Sequence, residues 1–167
     1  MSDSFETETT GPEYGSLKTL TILTFIGSGI GALGSIWQFI NADKGVEALE
    51  KVVNDPDTFN KLPDFAKKFY SPEAIEAARV AASNKFPLFL VAIIGIALCV
   101  FGAIQMRKLK QQGYYLWLIG EIFPVIGSFI FLGKASMAGG VMVYVIYGIL
   151  LLFIILYTLQ RKYLINK

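Results

Sequence analysis

Residues 86–106 read FPLFLVAIIGIALCVFGAIQM, a run without one Asp, Glu, Lys or Arg, bounded by Lys85 and Arg107. A helix rising about 1.5 Å per residue needs ~20 residues to cross a hydrocarbon core ~30 Å thick, and this run has that length. Residues 17–40, 114–133 and 141–159 form three further runs of comparable length and apolarity. The connections after the second and third runs are short, so consecutive helices there must run in opposite directions. The expected fold is all-α and integral to a membrane. It is an antiparallel four-transmembrane-helix bundle over residues 17–167, with a small helical extramembrane segment, residues 42–84, between helices 1 and 2.

Composition agrees with that class. Hydrophobic residues make up 54% of the chain and mean hydropathy is +0.54, too much apolar surface for a soluble domain of this length. The net charge of +2 gives no basic footprint of the kind a nucleic-acid binder needs. There is no histidine and one cysteine, Cys99. Disulfides within the chain, His-containing zinc sites, His-ligated haem, Ser-His-Asp triads and Cys-His nucleophiles are therefore excluded. No nucleotide motif or cofactor ligand set is present, so no enzyme activity and no cofactor are expected. Cys99 lies inside an apolar run, where a thiol stays protonated and inert, and reads as a small packing residue.

The first sixteen residues, MSDSFETETTGPEYGS, carry Asp3, Glu6, Glu8 and Glu13 and no base. A cleavable signal would open with positive charge, so residues 17–40 are expected to remain as a span. Residues 1–16 are expected to form a disordered acidic tail. Arg107, Lys108 and Lys110 follow the second span, and Arg161, Lys162 and Lys167 follow the fourth, with no acid among them. Unopposed basic clusters mark the cytoplasmic side. Both termini are therefore expected inside, residues 42–84 outside, and the membrane is expected to be a bacterial inner membrane.

Within residues 42–84, Asp55-Pro56-Asp57, Leu62-Pro63-Asp64 and Ser71-Pro72-Glu73 each place a proline at a first helical position with an acid behind it. Short helices are expected to start at about 56, 63 and 72, with Asp55 and Ser71 as N-caps. Val46, Leu49 and Val53 add an amphipathic helix over about 43–53. Phe59, Phe65 and Phe69, set among lysines, form either a small core capping the bundle or an outer docking face for a partner or lipid headgroups.

Small residues indicate where helices touch, because lipid supplies no hydrophobic drive between them. Gly27, Gly31 and Gly34 line one stripe of the first span with Thr24 and Gln38, and Gly27/Gly31 is a GxxxG pair. Gly95 and Gly102 continue the theme with Cys99 in the second span, as do Gly120 and Gly127 with Gly113 in the third. Close packing within the chain is the expectation, with homodimerisation as the alternative for the GxxxG pair. The fourth span contains ILLLFIIL over 149–156, apolar all round, as suits a peripheral helix or one that meets another subunit. Trp37, Trp117, Tyr114, Tyr115 and Tyr157 fall toward span ends and read as interface anchors.

Apart from Lys18 at the very start of the first span, Glu121 is the one charged residue inside any span. An unpaired carboxylate at that depth costs ~2.5–3.5 kcal/mol, so it must be paired or uncharged. Pro124, three residues on, removes the backbone donor for the Gly120 carbonyl and is expected to kink the helix. Ser28, at matching depth on the first span, is the expected hydrogen-bond partner. A cation from another subunit, and a proton- or cation-coupling role, are the alternatives.

A lone membrane carboxylate with four spans resembles the small multidrug-resistance transporters. The chain departs from them in carrying the carboxylate on the third span and a long first connection. The layout is also similar to claudins, but the outer segment lacks their Trp and paired Cys. Neither family is assigned. The expected function is a non-enzymatic accessory or assembly subunit of a larger inner-membrane complex, with the bilayer and other subunits or a homo-oligomer as partners. The alternative is a small oligomeric transporter or channel that uses Glu121.

Overall fold

The structure is a computed structural model and describes residues 12–137 and 141–164. Those residues are helical almost throughout. Four helices are long and apolar enough to cross a membrane: α1 (Pro12–Asn54), α5 (Lys85–Arg107), α6 (Gln111–Leu132) and α7 (Val141–Gln160). Three shorter ones, α2 (Pro56–Asn60), α3 (Asp64–Lys67) and α4 (Pro72–Ser83), make up the segment between α1 and α5.

α1 corrects two expectations. It begins at Pro12, inside the segment read as a tail; residues 1–11 lie outside the described residues. It also runs unbroken through the expected boundary at residues 41–43, so the first span and the amphipathic helix over 43–53 are one element of 43 residues, ~65 Å long. No proline interrupts Asn41–Gly45, and the Asn41 side chain donates to the Trp37 carbonyl at 3.0 Å along the helix. The element stops at Asn54, where Asp55 precedes Pro56 and is pushed out of the helical region.

The punctuation beyond α1 follows local chemistry. Asp55, at φ −105° and ψ 97°, accepts from the backbone N–H groups of Asp57 and Thr58 at 3.1 and 3.4 Å and from the Thr58 hydroxyl at 2.6 Å. Ser71 accepts from the Ala74 N–H at 3.2 Å and opens α4. Leu62 has no side-chain acceptor, and α3 is only four residues long before a 3₁₀ turn, Lys68–Tyr70. α4 then folds back on the projecting end of α1. Arg79 pairs with Glu50 at 2.7 Å, and Lys85 pairs with Asp43. α4 also touches the 3₁₀ turn Gly133–Met137 that follows α6.

α5 and α6 form the tightest pair. Their turn places Leu109 at φ 57°, a conformation usually left to glycine, and its side chain packs against the core beside it. Along the pair, glycines meet backbone. A Cβ on Gly102 would lie 2.5 Å from the Trp117 nitrogen, and one on Gly113 would lie 2.6 Å from the Gly102 carbonyl oxygen. α1 packs along α5, whereas α7 touches α1 and α6 sparingly.

The buried residues gather at one end. Leu17, Leu20, Thr21 and Thr24 of α1 meet Met106, Trp117 and Tyr157 there. The Trp117 and Tyr157 rings lie 4.2 Å apart, and the Thr24 and Tyr157 hydroxyls share a hydrogen bond of 2.7 Å. This corrects the reading of Tyr114, Trp117 and Tyr157 as interface anchors, since all three are buried. The α5–α6 backbones come so close at Gly102 that Trp117 is turned into the space between helices. Trp37, 72% exposed, keeps an anchor's position. The basic residues Arg107, Lys108, Lys110, Arg161 and Lys162 follow or precede helix ends on this same closed side, where Arg161 donates to the Tyr115 hydroxyl; Lys167 lies outside the described residues.

Candidate functional site

The α5–α6 contact positions the carboxylate. Gly95, Cys99, Gly120 and Pro124 interlock so closely that the Pro124 ring sits where a Gly95 Cβ would be. The Gly120 carbonyl, deprived of its helical donor by Pro124, would lie 2.9 Å from that same Cβ. α6 continues through Pro124 as one element, and the Ser128 hydroxyl donates to the Pro124 carbonyl at 2.8 Å one turn later. Glu121 follows Gly120 directly, so the rigid seam sets where its side chain begins.

Glu121 borders two compartments. One, of about 330 Å³, lies between α1, α5, α6 and α7 and is bordered by Thr24, Gly27, Ser28, Cys99 and Phe153 as well as the carboxylate. The other, of about 340 Å³, lies between α6 and α7 and includes Ser128, Ser136 and Tyr147. Both share Glu121, Pro124, Ile146 and Leu150. Toward the basic ends of the helices, the Thr24–Tyr157 pair and buried Trp117 close the space. The small side of Gly27 contributes directly to the first compartment, having no atom within 4 Å of a Cβ position.

Ser28, expected as the partner of Glu121, and Cys99 both border the first compartment with the carboxylate. Cys99 belongs to the helix packed hard against α6, its Sγ 2.7 Å from a Gly120 Cβ position, whereas Ser28 stands on α1 across the opening. The thiol also lies 3.7 Å from the Trp117 carbonyl oxygen. Among the described residues, no Lys or Arg forms an ion pair with Glu121. No group of three or more Cys, Asp or Glu side chains there could hold a metal ion.

The glycines divide by helix. Gly95, Gly102, Gly120 and Gly127 all face atoms within 2.9 Å of a Cβ position, Gly127 against Val91. Gly31 has only ordinary contact, with Ile96 at 3.6 Å, and Gly27 and Gly34 meet nothing within 4 Å. The stripe expected to pack inside the chain is thus largely open, with only Gly31 of the three in contact with α5. On the outer segment Phe59 is half-buried and Phe69 is 51% exposed; the Phe65 side chain lies outside the described residues.

Residue patterns did not point to Tyr157 as the partner of Thr24, nor to Ile146 and Phe153 as walls around Glu121. α7 is apolar on every side, so nothing in its sequence marks the inward face. No protein-family model, curated protein or solved structure matches this chain.

Proposed function

We propose that this chain is a non-enzymatic integral membrane protein that serves as an accessory or assembly subunit of a larger complex in a bacterial inner membrane. In this reading α1, α5, α6 and α7 form an antiparallel four-transmembrane-helix bundle. Both termini are cytoplasmic, on the side of the basic clusters, and the segment from the end of α1 to α4 is outside.

The observation that carries the reading is the open face of α1. Gly29 and Gly34 have no neighbour within 4 Å of a Cβ position. Ile30, Leu33 and Trp37 stand beside them, each about two-thirds exposed or more. A glycine inside a helix costs ~0.5–1 kcal/mol relative to alanine. Lipid chains gain nothing in return, but a second helix can approach closely over such a notch. The same face therefore suits a partner's helix better than it suits the bilayer.

Purification from native membranes in a gentle detergent, followed by mass measurement of the intact particle, tests this. The expected particle contains further chains beside the 18.4 kDa polypeptide. A stable monomer as the only species would refute the assignment.

A further inference from the structure

We propose that the Glu121 compartment receives the cationic side chain of a partner's transmembrane helix, one that carries a single Lys or Arg near mid-membrane. The inference rests on the subunit reading and supplies the chemistry of the partner. Glu121 stands ten residues from the start of the 22-residue helix α6, ~15 Å from its end, close to the middle of a ~30 Å hydrocarbon core. Carboxylates at that depth are paired with an opposite charge or line a cavity. This one lines a cavity and has no basic partner among the ion pairs of the described residues.

A second copy of the chain does not supply the cation at this depth. None of residues 19–40, 86–106, 114–133 and 141–159 is Lys or Arg, so the charge must come from a different polypeptide. The size and walls of the space favour a side chain as occupant. A helix ~10–12 Å across must remain outside compartments of about 330 and 340 Å³, but a long side chain can reach in. Ile146, Leu150 and Phe153 suit the methylene stem of Lys or Arg, and the carboxylate meets its head. A hard metal ion is poorly served, because it takes about six or more oxygen ligands. Here the described residues bring one carboxylate and a few neutral hydroxyls, spread over two compartments. Entry from the side is open because α7 packs sparingly on α1 and α6.

The test uses the full chain reconstituted in phosphatidylcholine vesicles with a fluorescent single-span Leu/Ala peptide bearing one central Lys, its association read by energy transfer. Otherwise identical peptides with a central Leu or Glu serve as controls. The Lys peptide is expected to associate about tenfold or more tightly than the Leu peptide, and Glu121→Gln is expected to erase the difference. Gly27→Leu, which fills the compartment without altering the carboxylate, is expected to weaken the Lys peptide while leaving helicity unchanged and the thermal midpoint no lower. Equal association of all three peptides, or full binding by the Glu121→Gln protein, overturns the pairing. Full binding by Gly27→Leu overturns the compartment as its place. A Glu121-dependent response to tetraethylammonium without one to the Lys peptide replaces the helix by a small cation and also overturns it. The native particle separates this inference from the one beneath it: a complex that survives Glu121→Gln keeps the subunit reading and removes the pairing. A native monomer that still binds the Lys peptide does the reverse.

Discussion

The hydroxyl pair at the closed end is a buried side chain–side chain hydrogen bond. Thr24 and Tyr157 are both buried, and their bond joins the first helix to the last. Tyr157→Phe keeps the ring against Trp117 but leaves the Thr24 hydroxyl without that partner, at a cost of ~1 kcal/mol. A lowered thermal midpoint in detergent, with unchanged helicity, is the expected result. Asp55 supplies a pH-dependent counterpart outside the apolar helices. The Thr58 hydroxyl first, then the Thr58 and Asp57 N–H groups, hold its carboxyl below the usual carboxylate range. Its stabilising effect is therefore present above the unfolded-state pKa and is lost as pH falls through the depressed folded value. Amide protection at residues 57–60, taken relative to the intrinsic exchange rate at each pH, should fall on acidification below about pH 4, and Asp55→Ala should show the lower protection already at neutral pH. Protection in the unsubstituted protein that is unchanged by acid would contradict the cap's role.

Glycine acts differently in different helices, and substitution can separate the two uses. Gly102→Ala places a methyl 2.5–2.7 Å from the backbone of Trp117 and Gly113. Backbone cannot yield as a flexible side chain does, so the α5–α6 pair must separate, at ~1–3 kcal/mol. Gly34→Ala meets open space and should be neutral or stabilising by up to ~1 kcal/mol in the isolated chain. Gly34→Leu should leave the isolated chain folded and yet reduce recovery of the native complex. Denaturation in detergent measures the first pair, and particle mass the last. A destabilised Gly34→Ala monomer would mean that α1 sits closer to its neighbours than the geometry described here.

Taken whole, the chain is closed at one end and open at the other. Core residues and basic clusters share the closed end, while the long projection of α1, braced by α4 through Glu50–Arg79 and by the start of α5 through Asp43–Lys85, marks the other. If the basic end is cytoplasmic, a cysteine at position 71 in a Cys99→Ala background labels from outside with an impermeant maleimide, and one at position 111 does not. The opposite pattern would invert the orientation and place the braced arm in the cytoplasm.

Helix class, the four apolar runs, the caps at Asp55 and Ser71 and the stop before Pro56 were all legible in order along the chain, because each depends on residues a few positions apart. The single carboxylate and the missing catalytic inventory were legible for the same reason, being matters of residue identity. What required the tertiary structure was every property shared between two helices. The stripe Gly27-Gly31-Gly34 and the glycines of α5 and α6 look alike in sequence, yet only the latter are in contacts too close for a Cβ. Depth matching pointed from Glu121 to Ser28, and only the packing of α5 against α6 brought Cys99 to the same compartment. Trp117 and Tyr157 stand in the core rather than at an interface because α6 meets α5 backbone at Gly102 and the Tyr157 ring packs on Trp117. Helix rotation and separation follow from how two surfaces fit, and neither surface carries that information alone.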